Sequence, residues 1–485
     1  MARAMDERIR SVGCLFIFLF ARWNVAICTA LAPVVVAPPR KVCIVGGTGQ
    51  IGSAVAQHWL RRDPTASITL VGRSRIKGDR ALREIREKFP RGAVTVDTMT
   101  MDQTQYHSSR PPPQEWVDYF HQYDCVIHTA GPYVDAYPTV LAAAIAAHVK
   151  VYVDVGDPLP YLEHAVLMDA TARTAGTTAV VAAGAFPGMS NVLAVETAER
   201  VVEVSGNERV GDIRCQYFTA GLGGSGAINL YITNLGFGDA MGVYKGGELT
   251  FSTELPGKIL GSVDFFLSGD QQPVDDDARR GNEESRRRVG KKQVFAWPFP
   301  EAATVPSFLR SRGDSIAGMG TAPDIWNSLL GFLVVLLPRS LWRKQGFSQF
   351  LADFSEPLVR LTDALLRLSD PQGIGETHAM RIDVTSAEGS RMASTVQAHD
   401  SFRQCVGQSC AEFALDCLES PDPGVSLPEL RYSDGPTRAC LIAKLTSTPG
   451  TFCYTGPVVG ATDGSNSDGQ ASDRHFCSVS PKNTV

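Results

Sequence analysis

From residue 40 onward the apolar positions switch regularly between two periods. KVCIVGG (41–47) is an apolar run of strand length that stops at glycines. Directly after it, residues 50–62 place Ile51, Val55 and Trp59 at i, i+4 and i+8, the spacing of one helix face. SITLVGR (67–73), AVTVDTM (93–99), YDCVIHTAGP (123–132), VYVDVGD (151–157) and TAVVAAGAFPG (178–188) read as five further strands. Helical stretches lie over 76–89, from about Pro138, and over 160–175, and SSRPPP (108–113) is a loop. Strands alternating with helices predict a parallel sheet covered on both faces, an α/β fold of the Rossmann-type doubly wound kind, over residues 39–192.

From about residue 212 the rhythm changes. DIRCQYFTAG (212–221) is strand-like and runs into a glycine-rich turn and a helix, and alternation returns at MRIDVTSA (380–387) and MASTVQAH (392–399). These predict a second α+β domain over 193–440 with a mixed or antiparallel sheet. Residues 270–292 carry both charges with no apolar period and are expected to be a solvated loop or insertion. The end, 455–485, is rich in small polar residues and is expected to be disordered.

The junction at 46–52 makes a specific physical demand. Gly46, Gly47, Thr48, Gly49, Gln50, Ile51 and Gly52 turn the chain out of a strand and into a helix. Spaced glycines permit the turn and let the backbone approach a pyrophosphate with no Cβ between. The free N–H groups of the following helix then face the anion. In this strand–turn–helix context the pattern predicts a dinucleotide site, a plain tight turn being the alternative. The end of strand two selects the dinucleotide. An acid there would hold the 2′-hydroxyl of NAD, but this strand ends in Arg73, Ser74 and Arg75, and a guanidinium fork suits a 2′-phosphate. The expected cofactor is NADP(H), with NAD the alternative.

Other residues at the carboxyl ends of the strands are candidates because such sheets bind ligand there. Asp97, Ala130, Gly131 and Pro132 are expected against the cofactor. Tyr133, Phe186, Pro187 and Gly188 would floor the cleft, with Ser190 beside the substrate. Asp154, Asp157 and Tyr133 are the candidates for catalysis, although Asp157 before Pro158 is equally a turn starter. His128, inside an apolar strand, reads as a core histidine.

Composition changes this picture only at the margins. The 485 residues carry a net charge of −5, which offers no footprint for nucleic acid. There is no C-x-x-C or H-x-x-x-H pair, so no metal site is expected. The eleven cysteines are irregularly spaced and are expected to be free thiols. Residues 1–38 hold Arg3, Arg8 and Arg10, then the short apolar run SVGCLFIFLF and small residues near Ala30, which is a signal-peptide pattern. Arg22 in mid-span argues against a membrane anchor. The apolar part of 324–342, about 15 residues, is short of the ~20 that span a bilayer, so a buried or interface helix is expected there rather than membrane contact.

GGTGQIG (46–52), HTAGPY (128–133), VYVDVGD and AGAFPGMSN (183–191) together resemble the saccharopine dehydrogenase-like family. YFTAGLGGSGAINL (217–230), GTAPDIWN (320–327) and PGVSLPE (423–429) resemble its plastid-type branch in plants and algae. The resemblance covers about residues 40–430 and departs from the pattern at the charged insertion and at Ser426-Leu427. It implies an NADP-dependent oxidoreductase acting on a small molecule, such as an amino-acid-derived imine or aldehyde. It also implies a second domain that forms a homodimer in some relatives. Plastid delivery by the leader follows from the same resemblance, with the endoplasmic reticulum or a membrane as the alternative. A non-catalytic NADP-binding protein acting through partners is the competing function.

Overall fold

The computed structural model describes residues 38–106, 110–206, 209–220, 227–273, 275–322, 324–369 and 376–460. The leader expected over 1–38 therefore lies almost wholly outside the described residues, as does the tail from 461.

The apolar runs become strands, buried on both faces except at the edge strand β3: β1 (Lys41–Val45), β2 (Ser67–Gly72), β3 (Ala93–Thr98), β4 (Cys125–His128), β5 (Val151–Asp154) and β6 (Thr178–Val180). They form a parallel sheet in the order β6-β5-β4-β1-β2-β3, so the strand order reverses between β4 and β1. β6 is much shorter than its apolar run, because the chain leaves it at Ala182, which sits at φ 60.

The second sheet combines β7 (Val210–Ala220), β10 (Ile259–Asp264), β11 (Lys291–Ala296), β12 (Ser315–Ala322), β13 (His378–Ser386), β14 (Arg391–His399) and β16 (Thr451–Thr455). Its order is β10-β11-β12-β7-β13-β14-β16. β7 and β12 pair in parallel and most neighbours antiparallel, so the sheet is mixed, as the alternation predicts. A small hairpin, β8 (Met241–Lys245) with β9 (Glu248–Ser252), stands apart.

Three sequence expectations are corrected. The first is the domain boundary at 192. β15 (Gly424–Ser426), from the late PGVSLPE segment, pairs with β6 and is the seventh strand of the first sheet. The helix Phe402–Glu419 packs against the glycine-loop helix Gln50–Arg62 and covers the same sheet. β6 would otherwise be an unpaired edge, which the chain's return closes. The second is the charged block 270–292, which is largely a helix, Asp276–Arg288, and not a loop. Asp275 caps it through Ala278 N, acids fill its first turn and arginines its last. It shows no apolar period because its inward face is polar. Asn282 exchanges two hydrogen bonds with the Leu267 backbone, and the Ser285 hydroxyl donates to Phe265 O. The third is the disorder expected from 455, since Val459–Gly460 is a strand, β17, paired with β14.

The stretch 324–342 is two helices, Asp324–Leu336 and Arg339–Trp342, separated by Pro338. Among the described residues no helix is long and apolar enough to cross a membrane. The described cysteines are free.

The return of the chain rests on a close helix crossing. A Cβ on Gly407 would lie 2.6 Å from Ala54 Cβ and 2.8 Å from Val55 N. Next to this contact, buried His58 and Glu412 meet at 2.7 Å. Gly407→Val should therefore lower stability by about 1–3 kcal/mol through overpacking. This is read as a reduced denaturant midpoint at unchanged slope. A variant as stable as the wild type would show that the crossing tolerates separation.

Candidate functional site

The site is built where β1 opens into its helix, at the point where strand order reverses. Gly46 takes φ 84 and its N–H donates to Val71 O, which locks the turn to β2. A Cβ on Gly52 would lie 2.5 Å from Gly46 O, so helix and turn are in backbone contact. Gly49 differs: its Cβ direction meets only Gly46 O at 3.1 Å. The three glycines thus divide the work of turning, close packing and leaving an open backbone face. No acid occupies the first turn of the helix that follows, so its amides are unopposed. This cradle fits a pyrophosphate.

Thr48 packs over the end of β2, where a Cβ on Gly72 would meet its hydroxyl at 2.1 Å. Ile51 packs on the core of the first sheet. Gln50 is held from across the cleft, since Arg403 Nη1 donates to its Oε1 at 3.1 Å. Arg403 also pairs with Glu376 at 3.2 Å. Nothing local in the sequence marks Arg403 as part of the cleft.

The two strand-two arginines separate. Arg75 pairs with Asp79 one turn along its helix at 3.0 Å, whereas Arg73 is exposed at the end of β2 and helps hold the Asp102 carboxyl below the usual range. The largest cause of that lowering is the hydrogen bond from the Thr104 hydroxyl, and Arg73 is the smallest. Ser74 caps the same helix, accepting from Lys77 N. Asp97, at the end of β3, accepts a 2.6 Å hydrogen bond from Tyr119. Ala130, Gly131 and Pro132 line the loop after β4, with a cis bond between Gly131 and Pro132, and a Cβ on Gly46 would touch Ala130 N.

The three catalytic candidates have different environments. Asp154 is fully buried and its two oxygens accept four hydrogen bonds, from Gly156 N, Ala182 N, Tyr161 and Tyr152. Burial pushes its carboxyl up while these donors pull it down. Tyr133 is buried and its hydroxyl donates to His128 O at 2.7 Å, which leaves the ring rather than the hydroxyl for contacts. Asp157 is half-buried, and desolvation, aided by Asp239 and Asp154, pushes it up to about 6. It is the candidate whose proton is exchangeable near neutrality. His128 is a core histidine, near Tyr152 at 3.3 Å and pushed down to about 3 by burial.

The turn after β6 joins the two sheets. Phe186 and Pro187 are linked by a cis bond, and Gly188 follows at φ 129, where a Cβ would lie 2.1 Å from Gly184 O. The Phe186 ring stacks on Tyr217 at 4.3 Å and on His378 at 4.9 Å, with Phe299 edge-on at 5.3 Å. Behind it lie two buried carboxyls that sequence reading does not find. Glu301 Oε1 accepts from Ser190 at 2.9 Å and from Tyr217 at 2.8 Å. Glu429 Oε2 accepts from Asn191 at 2.9 Å. Ser190 is therefore a buried strut of this joint. Burial pushes Glu301 up to about 7, with Glu429 adding to the rise. Glu301 stands 111 residues from Ser190 in the chain, and only the fold makes them neighbours.

Residues 42–180 match the family described as the saccharopine dehydrogenase NADP binding domain. No curated protein matches the chain. Among solved structures, the chain is similar to apo saccharopine dehydrogenase (L-Glu forming) from Saccharomyces cerevisiae. The TM-score is 0.53 at 13% identity over 87% of this chain and 100% of that one. It is also similar to GenD2 from gentamicin A biosynthesis, in complex with NAD, at 13% identity and TM-score 0.34 over 86% of this chain and 95% of that one. An oxidoreductase from Agrobacterium radiobacter, in complex with NAD+, L-tartaric acid and magnesium, matches at 11% identity and TM-score 0.32 over 88% and 99%.

The buried joint has a pH signature. Folded, Glu301 keeps its proton to about pH 7; unfolded, it ionises near 4.5. Between these values only the unfolded chain has lost the proton, so this group's contribution to stability falls as pH rises. Glu301→Gln is neutral in both states. Its stability relative to wild type should rise between pH 5 and 7 by up to about 3 kcal/mol and level off above. Unfolding curves across that range check it, and a pH-independent difference would sink the assignment.

Proposed function

We propose that the chain is an NADP-linked oxidoreductase that moves a hydride between NADP(H) and a small carbonyl or imine compound. The observation that carries this reading is the open backbone face at Gly49 ahead of a helix start with no acid in its first turn. The match of residues 42–180 to an NADP-binding domain supports it. Bound NADPH would supply the hydride; the chain binds, orients, excludes water and moves a proton. Gly49 and the first helical amides would hold the pyrophosphate, and Arg73 the 2′-phosphate. Asp157 would give a proton to the substrate oxygen or nitrogen as its carbon takes the hydride, regain it from solvent, and act in reverse for oxidation. Asp154 would position Asp157 by fixing the loop after β5.

Titration of NADPH and NADH into wild type should show a preference for NADPH of tens- to hundreds-fold, or ~1.4 to 3 kcal/mol. Arg73→Ala should remove most of it and Arg75→Ala less, because Arg75 is already paired with Asp79. Salt should erode the preference, since both arginines are exposed. Equal affinities in wild type would refute the NADP reading. NADPH binding without oxidation across a panel of carbonyls and imines would favour a binding protein instead.

For a substrate found in that panel, Asp157→Asn should leave NADPH affinity unchanged and lower kcat/KM by roughly 10²–10⁴. The pH limb near 6 should disappear with it. Retention of that limb would exclude Asp157 as the proton carrier.

A further inference from the structure

The second sheet holds a cavity of about 350 Å³, roofed by the helices Ala227–Gly236, Asp324–Leu336 and Gln345–Ser369. Its floor is the face of β7, β11 and β12 that carries Thr219, Phe295, Met319 and Thr321. Among the described residues no charged side chain lines it. Four polar side chains of the wall, Asn327, Thr321, Asn234 and Ser355, are bonded to backbone groups of the protein. Asn327 exchanges two hydrogen bonds with the Thr321 backbone, and the Thr321 hydroxyl donates to Thr219 O. Asn234 donates to Ser348 O, and Ser355 to Leu351 O. A polar or charged guest would lose its water here without compensation. A hydrocarbon guest would not.

The cavity lies on the same face of the second sheet as the turn after β6. Thr219 lies two residues after Tyr217 on β7, so both side chains face the same way. Trp297 in the cavity wall packs near Phe299 at 6.2 Å, and Phe299 touches both Phe186 and Tyr217. One aromatic ring therefore separates the cavity from the turn where substrate is expected. Size narrows the guest further. A methylene takes about the ~30 Å³ of a water, which leaves room for roughly ten.

The geometry points to an amphiphilic substrate: a polar carbonyl or imine head at Phe186, and an unbranched aliphatic tail of about ten carbons in this cavity. The assignment rests on the oxidoreductase reading above and gives it a substrate class. Exposed Leu329, Phe354 and Leu358 at the rim mark the entrance.

The test uses the purified full chain and 11-(dansylamino)undecanoic acid as a fluorescent probe, displaced by 1-alkanols of six to fourteen carbons. Alkanol affinity should rise up to about fourfold per methylene, the ~0.8 kcal/mol of burying one, and level off near ten carbons. Met319→Trp and Thr233→Phe fill the cavity from a strand and from a helix. Each should bind the probe at least tenfold more weakly while keeping wild-type NADPH affinity, which also reports that the variant is folded. Probe binding unchanged in both variants would overturn the proposal. So would binding with no dependence on chain length. A sedimentation coefficient that shifts on dilution as the probe binds would assign the face to a second copy instead, and probe binding that requires lipid vesicles would assign it to a membrane surface. NADPH titration separates the two readings: alkanol binding without NADPH binding would sink the oxidoreductase reading and with it the tail assignment, whereas NADPH binding without alkanol binding would sink the cavity alone.

Discussion

One buried carboxylate holds the cleft in shape. Asp154 ends β5, and its four donors come from its own strand, the loop after it, the helix that follows and the exit of β6. A buried charge is tolerated only when its lone pairs are met, and here they are met by groups that must otherwise be positioned separately. The exit of β6 at Ala182 leads within four residues to Phe186. The direction in which the second sheet is engaged is therefore set by the same carboxylate that shapes the Asp157 loop.

The second sheet meets this frame through aromatic stacking and through a pair of buried acids. Phe186 lies between rings contributed by β7 and β13, and Ser190 and Asn191 reach Glu301 and Glu429 behind it. Apolar stacking alone is forgiving of small slides, whereas hydrogen bonds to buried carboxyls fix position and angle. Together they hold the apolar cavity one ring away from the proposed point of chemistry.

How much of this was legible depended on how local each cause is. The inner strands of the first sheet are buried on both faces, so their apolar runs stand out, and the glycine spacing states a backbone requirement that few other structures share. The segments AGAFPGMSN and HTAGPY were recognisable for the same reason: their unusual backbone is written in adjacent residues. The helix Asp276–Arg288 was missed because its inward side is Asn282 and Ser285, which leave no hydrophobic period. β15 was visible as a motif but not as a strand, since three residues carry no periodicity. Glu301 and Arg403 act on residues 111 and 353 positions away, and no local pattern encodes such partners.

The late arrival of β15 has a consequence for how the chain can be made. The segment that matches a dinucleotide-binding family ends at Val180, with the β6 edge unpaired and the glycine-loop helix lacking the helix that crosses it at Gly407. Both complements lie beyond residue 400. A chain emerging from the ribosome must expose that edge through the synthesis of more than two hundred further residues. The first sheet is thus started before the second and closed after most of it. Its premature pairing with another nascent chain is a hazard of assembly that the finished protein no longer shows.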